Sequence, residues 1–181
     1  RIAFHMLSKA KPQSLQLSQA IKEAIEVIQH CERCRHFCQG PQCTICQSTQ
    51  RNRKQICIVE QPQDLLAIEQ TGHYQGLYFV LMGYLSPIDG IGPEQLALDV
   101  LMQRLNQEPI EEMILATNTT VEGEATSQYI CDLAASHHIT VSRLAHGIPM
   151  GGELEYLDSH TVSHAFNARR RMLQLASHDH E

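Results

Sequence analysis

The chain has 181 residues and a formal net charge of −6, which is room for one ordinary domain or for two or three small ones. Apolar residues at 43% and charged residues at 19% exclude a disordered chain, and no apolar run is long enough to span a bilayer. The charge is unevenly spread: residues 1–54 hold nine Lys/Arg against three Asp/Glu, whereas residues 55–181 hold five against seventeen. A basic first segment ahead of an acidic remainder predicts two kinds of partner, with nucleic acid facing the first.

In chain order, residues 1–7 fall in a helical pattern that opens on Arg1 rather than Met, and this reads as a sequence lacking its natural start. Residues 15–28 predict an amphipathic helix. Leu17, Ala20, Ile21, Ala24, Ile25 and Ile28 recur at helical spacing, with Lys22, Glu23 and Glu26 outward. A cysteine cluster follows at 31–46, and the polar, basic stretch 47–54 marks a boundary. From there short apolar segments alternate with helical ones. Strands are predicted at 55–60, 77–81, 113–116 and 140–144. Helices are predicted at 62–70, 94–106 and 124–136, with Pro93 at the start of the second. The loops between them are a Gly/Pro-rich one at 82–93 and a polar one at 117–123. This alternation predicts a parallel sheet covered on both faces. A last helix is expected at 159–172. The expected fold class is α/β in several parts: a helical region at 1–29, a metal module at 30–54, the sheet at 55–145 and a C-terminal helical segment at 146–181.

The seven cysteines are Cys31, Cys34, Cys38, Cys43, Cys46, Cys57 and Cys131. Their odd number, with no basic-then-apolar leader at the start of the sequence as given, predicts a reducing cytoplasm rather than export. There, clustered thiols signal metal more often than disulfides. Cys31-x2-Cys34 and Cys43-x2-Cys46 are two pairs separated by eight residues. Each pair forms a knuckle, and two knuckles complete a tetrahedron of thiolates about 2.3 Å from one zinc ion. A closed shell of this kind makes the ion structural, at one per chain, and a module this small depends on it to fold. A redox pair or unligated thiols are the alternatives. Cys38, His30 and His36 read as neighbours of the site, with Cys38 as a substitute ligand the lesser alternative. Cys57 and Cys131 read as small core residues. Arg33, Arg35, Arg51, Arg53 and Lys54 flank the knuckles and are candidates for phosphate contacts. The plainer reading is a solvated face that balances thiolate charge.

Glu60 ends the first strand of the sheet, and Glu122 and Glu124 follow the third. Ligands of parallel sheets collect beyond the carboxyl ends of the strands, so these carboxylates and Asp89 are expected to gather there. Such a cluster suits magnesium. For Glu122 and Glu124 the alternative is a pair of charges at a helix N-terminus.

Several of these segments together bring a family into view. They are Glu60, the loop Leu85-Ser86-Pro87-Ile88-Asp89-Gly90-Ile91-Gly92-Pro93, and Ala116-Thr117-Asn118-Thr119-Thr120-Val121-Glu122-Gly123-Glu124-Ala125-Thr126. To these are added Ala145-His146-Gly147-Ile148-Pro149-Met150-Gly151-Gly152-Glu153-Leu154-Glu155 and the cysteine spacing. In that order the chain resembles the bacterial RecR family of recombination mediators over nearly its whole length. The resemblance implies the end of a helix-hairpin-helix region, a zinc module, a Toprim domain and a C-terminal wrapping segment. It also implies that the glycine-rich hairpin expected before Arg1 is missing. In catalytic Toprim enzymes a glutamate and an Asp-x-Asp motif hold magnesium. Here Glu60 stands at the glutamate position, while Asn118 and Thr120 stand at the two aspartates. An amide and a hydroxyl are weak magnesium ligands, so the domain is expected to be non-catalytic.

The resemblance further implies binding to single- or double-stranded DNA and its junctions. Partnership with RecO, in some settings with RecF, helps load RecA onto single-stranded DNA. A homo-oligomer, dimer or tetrameric ring, is implied as well. RecO would meet acidic Toprim residues, for which Glu60, Glu122 and Glu124 are the candidates, and the site of action would be the cytoplasmic nucleoid. Two readings compete with this one: a magnesium-dependent Toprim nuclease or topoisomerase-like enzyme, and a plain zinc-stabilised interaction module.

Overall fold

The computed structural model describes residues 1–145, 147–148 and 151–168. The chain divides into two compact units, Arg1–Ser142 and Arg143–Glu181.

The first unit opens with two helices, α1 (Ile2–Ser8) and α2 (Lys11–Val27). The predicted amphipathic helix is present and starts earlier than expected, with Pro12 in its first turn, where a missing N–H costs nothing. Neither helix buries a residue. Leu15 and Ile25 are each more than 70% exposed, so the apolar stripe lies open in this chain. A short antiparallel hairpin follows, β1 (Ile28–His30) with β2 (Phe37–Gln39), and then the one-turn helix α3 (Thr44–Gln47).

The sheet has four strands: β3 (Asn52–Val59), β4 (Gly76–Val80), β5 (Glu112–Ala116) and β6 (Thr140–Arg143). Their order is β4-β3-β5-β6, and β3 runs parallel to both β4 and β5. Side chains alternate across a strand, so β3 feeds two cores. Ile56 and Ile58 pack on one face with Leu98, Leu101 and Leu105 of α5 (Leu98–Gln107) and with Ile130 and Ala134 of α6 (Val121–Ala134). Cys57 and Val59 pack on the other with Leu65 of α4 (Pro62–Gln70) and with Tyr78 and Val80. Both faces of the sheet are therefore covered, and Cys57 is the core residue expected. Burial pushes its thiol up to about 12.

Two helix starts in the sheet region also differ from the sequence reading, each for a local reason. The segment after Pro93 stays in turns until Ala97, which adopts φ 53°, and α5 begins only at Leu98. In contrast α6 begins three residues early. The Thr120 hydroxyl accepts the Gly123 N–H at 3.1 Å and caps the helix. In the second unit, α7 (Ser159–Asn167) starts where predicted, and Asp158 accepts the Thr161 N–H at 2.9 Å. Residues 169–172, with Arg169, Arg170 and Arg171, lie outside the described residues.

Candidate metal centre and the carboxyl end of the sheet

The two knuckles bring Cys31, Cys34, Cys43 and Cys46 together with all four sulfurs within 4.8 Å of one another. All four are buried. Backbone amides point at the sulfurs: Cys43 N–H donates to Cys31 Sγ at 3.4 Å and Cys46 N–H to Cys43 Sγ at 3.5 Å. The Cys46 amide favours the thiolate form of Cys43. Cys34 Sγ and Cys43 Sγ lie 3.4 Å apart, within hydrogen-bonding reach. This contact holds the Cys43 thiol low and pushes the Cys34 thiol up. Four convergent, buried sulfurs with amide support fit a soft or borderline divalent cation. Cys38 packs beside them but turns its thiol to Gly40 O at 3.2 Å. His30 is held through Nδ1 by Arg35 O at 2.9 Å and stacks on Phe37.

The five basic candidates separate into two groups. Arg33 pairs with Glu108 at 2.8 Å. Arg51 grips both oxygens of Glu69, with Nη1 at 2.8 Å from Oε1, and Tyr78 donates to the same carboxylate at 2.7 Å. Arg35 donates to three backbone carbonyls, those of Leu81, Leu96 and Gln95, and lies over the ring of Phe79. These three guanidinium groups are engaged inside the protein. Lys54 meets Glu111 at 2.6 Å, with both side chains more than 60% exposed. Arg53 is half-buried and has no ion pair among the described residues.

The sequence reading missed Arg104. It is 5% exposed and donates to Arg33 O at 2.9 Å, to Tyr78 O at 2.7 Å and to Glu108 at 2.7 Å. It joins the metal module to β4. A signal was present, because Arg104 falls on the apolar stripe of α5 beside Leu101 and Leu105.

The carboxylates at the end of the sheet do not gather as expected. Glu60 is 2% exposed. Its Oε1 accepts the Asn118 backbone N–H at 2.9 Å, and its Oε2 accepts the Asn118 side-chain amide at 2.6 Å. Gly123 closes over this pair, since a Cβ there would sit 2.2 Å from Asn118 O and 2.8 Å from Glu60 Oε1. Glu122 is exposed and Glu124 half-buried in the first turn of α6, where acidic groups suit the helix dipole. Asp89 accepts the Ser86 hydroxyl at 2.6 Å. Among the described residues, no set of three or more His, Cys, Asp or Glu side chains converges other than the four cysteines. The carboxylate cluster expected from the sequence is thus not assembled among the described residues.

A parallel sheet covered on both faces, with a glutamate at the end of its first strand and, docked on one edge, a four-cysteine module that could hold a metal ion, defines a Toprim-fold protein. The family model of the Toprim domain matches residues 54–145, and that of the RecR C-terminal region matches residues 147–170. The chain is 51% identical over 173 residues to the recombination protein RecR of Xanthomonas axonopodis pv. citri (strain 306), covering 96% of this chain and 88% of that one. It is equally similar, over the same shares, to the recombination protein RecR of Xanthomonas euvesicatoria pv. vesicatoria (strain 85-10). The chain belongs to the RecR family of recombination proteins. Among the described residues, no helix is long and apolar enough to cross a membrane.

Proposed function

We propose that the protein is a recombination and repair mediator that binds DNA and acts with RecO, and in some settings with RecF, to help load RecA onto single-stranded DNA. Its Toprim domain is non-catalytic in this reading. The observation that carries it is the closed Glu60–Asn118 pair: both carboxylate oxygens accept donors of the chain itself, and the partner is an amide that adds no charge for a cation. Cys31, Cys34, Cys43 and Cys46 hold one structural zinc. Four protein ligands leave no position for an activated water. Arg53 and Lys54 supply phosphate contacts, since an exposed pair such as Lys54–Glu111 is worth little and gives way to a denser anion. Arg33, Arg35 and Arg51 stand behind them as internal ties. Glu122 and Glu124 form the acidic face for RecO, and Glu60 positions the loop that presents them. The protein works as a homo-oligomer in the cytoplasm at the nucleoid, and the open apolar stripe of α2 suits self-association.

The test has three arms on the purified protein. No nicking of supercoiled DNA is expected with magnesium or manganese. Cleavage that vanishes in Glu60→Gln would instead establish the nuclease reading. Neutralising Arg53 and Lys54 should lower the slope of log affinity against log salt by about 2. Charge reversal at Glu122 and Glu124 should weaken RecO binding at unchanged zinc content, and unaltered RecO affinity would remove those two residues from the partner face.

A further inference from the structure

Four non-glycine residues of the described chain adopt positive φ: Arg35 at 65°, Met82 at 64°, Ala97 at 53° and His138 at 54°. Such conformations cost roughly 1–3 kcal/mol each and persist only where the surroundings impose them. Three of the four meet at one guanidinium. Arg35 Nη1 takes the carbonyl of Leu81 at 2.8 Å and that of Leu96 at 2.6 Å. These are the residues immediately before Met82 and Ala97. One side chain of the metal module therefore holds both ends of the 82–96 segment, at the two points where its backbone is strained. Arg35 Nη2 adds the carbonyl of Gln95 at 3.3 Å.

The backbone of Arg35 is in turn set by the knuckle. Arg35 N–H donates to Cys31 O at 2.8 Å, His30 Nδ1 donates to Arg35 O at 2.9 Å, and Cys34 O receives Val80 N–H at 2.9 Å. The segment so clasped lies beside the closed carboxylate. Gly83 N–H donates to Glu60 O at 3.1 Å, and Leu85 N–H donates to Thr126 Oγ1 of α6 at 2.9 Å. At its tip Ser86 and Ile91 pair across a turn that leaves Ile88 98% exposed.

We infer that Arg35 is a positioning residue that couples metal occupancy of the four-cysteine site to the conformation of residues 82–96 at the carboxyl end of the sheet. This rests on the reading that the site holds zinc. With zinc bound, the knuckle keeps Arg35 left-handed and the clasp closed. Without zinc, the guanidinium loses its anchor and both strained ends of the segment relax.

The test is amide hydrogen exchange on the intact protein, with zinc content measured in parallel. Arg35→Met keeps an unbranched side chain and removes the guanidinium that donates to the three carbonyls and lies over Phe79. Exchange across 82–96 should rise about tenfold in this variant, with zinc retained and β3 protected as before. Chelating zinc from the unmodified protein should accelerate the same segment. Unchanged exchange in the zinc-loaded Arg35→Met protein overturns the inference. Loss of zinc from that variant also overturns it, because Arg35 would then serve the module rather than the loop. An unmodified protein that carries no zinc would instead refute the metal reading itself. Should Arg35→Met fail to fold, the chelation arm decides: acceleration of 82–96 ahead of β3 supports the coupling, and its absence rejects it.

Discussion

The four-cysteine module and the carboxyl end of the sheet both place ligand-type residues together, and they differ in one respect. The sulfurs of Cys31, Cys34, Cys43 and Cys46 face each other with only weak amide donors between them. The carboxylate of Glu60 faces Asn118, and short hydrogen bonds satisfy both its oxygens. Convergence of unsatisfied donors makes a cation site. A buried acidic residue whose partners are supplied by its own chain makes a structural tie instead. At the sheet end of this RecR-family chain the buried glutamate is such a tie.

Removing the metal ligands should have the largest effect. Structural zinc contributes on the order of 10–16 kcal/mol in small modules, against a net stability of about 5–15 kcal/mol for a typical domain. Cys31→Ser with Cys43→Ser should lower zinc from one per chain to none and abolish cooperative unfolding of the module. Metal analysis with calorimetric melting reads both. A metal-free protein with an unchanged melting profile would place the two regions in the same class.

Gly123→Ala tests the other region. The added Cβ meets backbone at Asn118 and the Glu60 carboxylate, and neither is a flexible side-chain end that can yield cheaply. Overpacking of this kind costs about 1–3 kcal/mol. Denaturant unfolding should show that loss, with zinc content unchanged. A neutral outcome would mean that the helix start at Thr120 shifts freely, and that the closed pair is not rigid.

The legibility of the two regions in the sequence follows from the same contrast. The cysteine spacing is local, and the covered sheet follows from apolar runs such as 77–81, so both were readable. The Glu60–Asn118 tie joins residues 58 positions apart, and only the fold decides whether an amide or a cation meets that carboxylate. The basic run is a related case. Arg33, Arg35 and Arg51 look alike in sequence, yet each finds an acceptor within the chain: Glu108, the carbonyls of Leu81, Leu96 and Gln95, and Glu69 respectively. Arg104 was legible in principle as a charge on an apolar stripe. The left-handed start of α5 at Ala97 was not, because alanine carries no signal for it.

Asn118→Asp sharpens the comparison by making the second region resemble the first. It replaces the donor amide with a second acceptor beside Glu60, so the two carboxylates repel unless a proton or a cation lies between them. Magnesium or manganese should then stabilise the variant and leave the parent unaffected. At ten times the dissociation constant the gain is about 1.4 kcal/mol, readable as a cation-dependent rise in melting temperature. Equal responses of the two proteins would show that Asn118 is not what closes the site to metal.

The smallest effect concerns acid, and it separates thiolate from carboxylate contributions. Lowering pH protonates thiolates and releases a bound metal, but it also discharges Glu69. The hydrogen bonds from Arg51 hold the Glu69 carboxyl below its usual range, against the opposing effect of burial. A carboxyl depressed in the folded state contributes stability that is present above its unfolded value of about 4.3 and is lost as pH falls through the folded one. Glu69→Gln should therefore destabilise by a constant amount from neutral pH down to about 4.5, and the gap should close below that. Melting curves of the two proteins over this range, taken with zinc content at each pH, give the comparison. If the gap persists in acid, Arg51 and Tyr78 hold Glu69 by packing rather than by charge. If it closes while zinc is still bound, the carboxylate tie fails before the metal centre does.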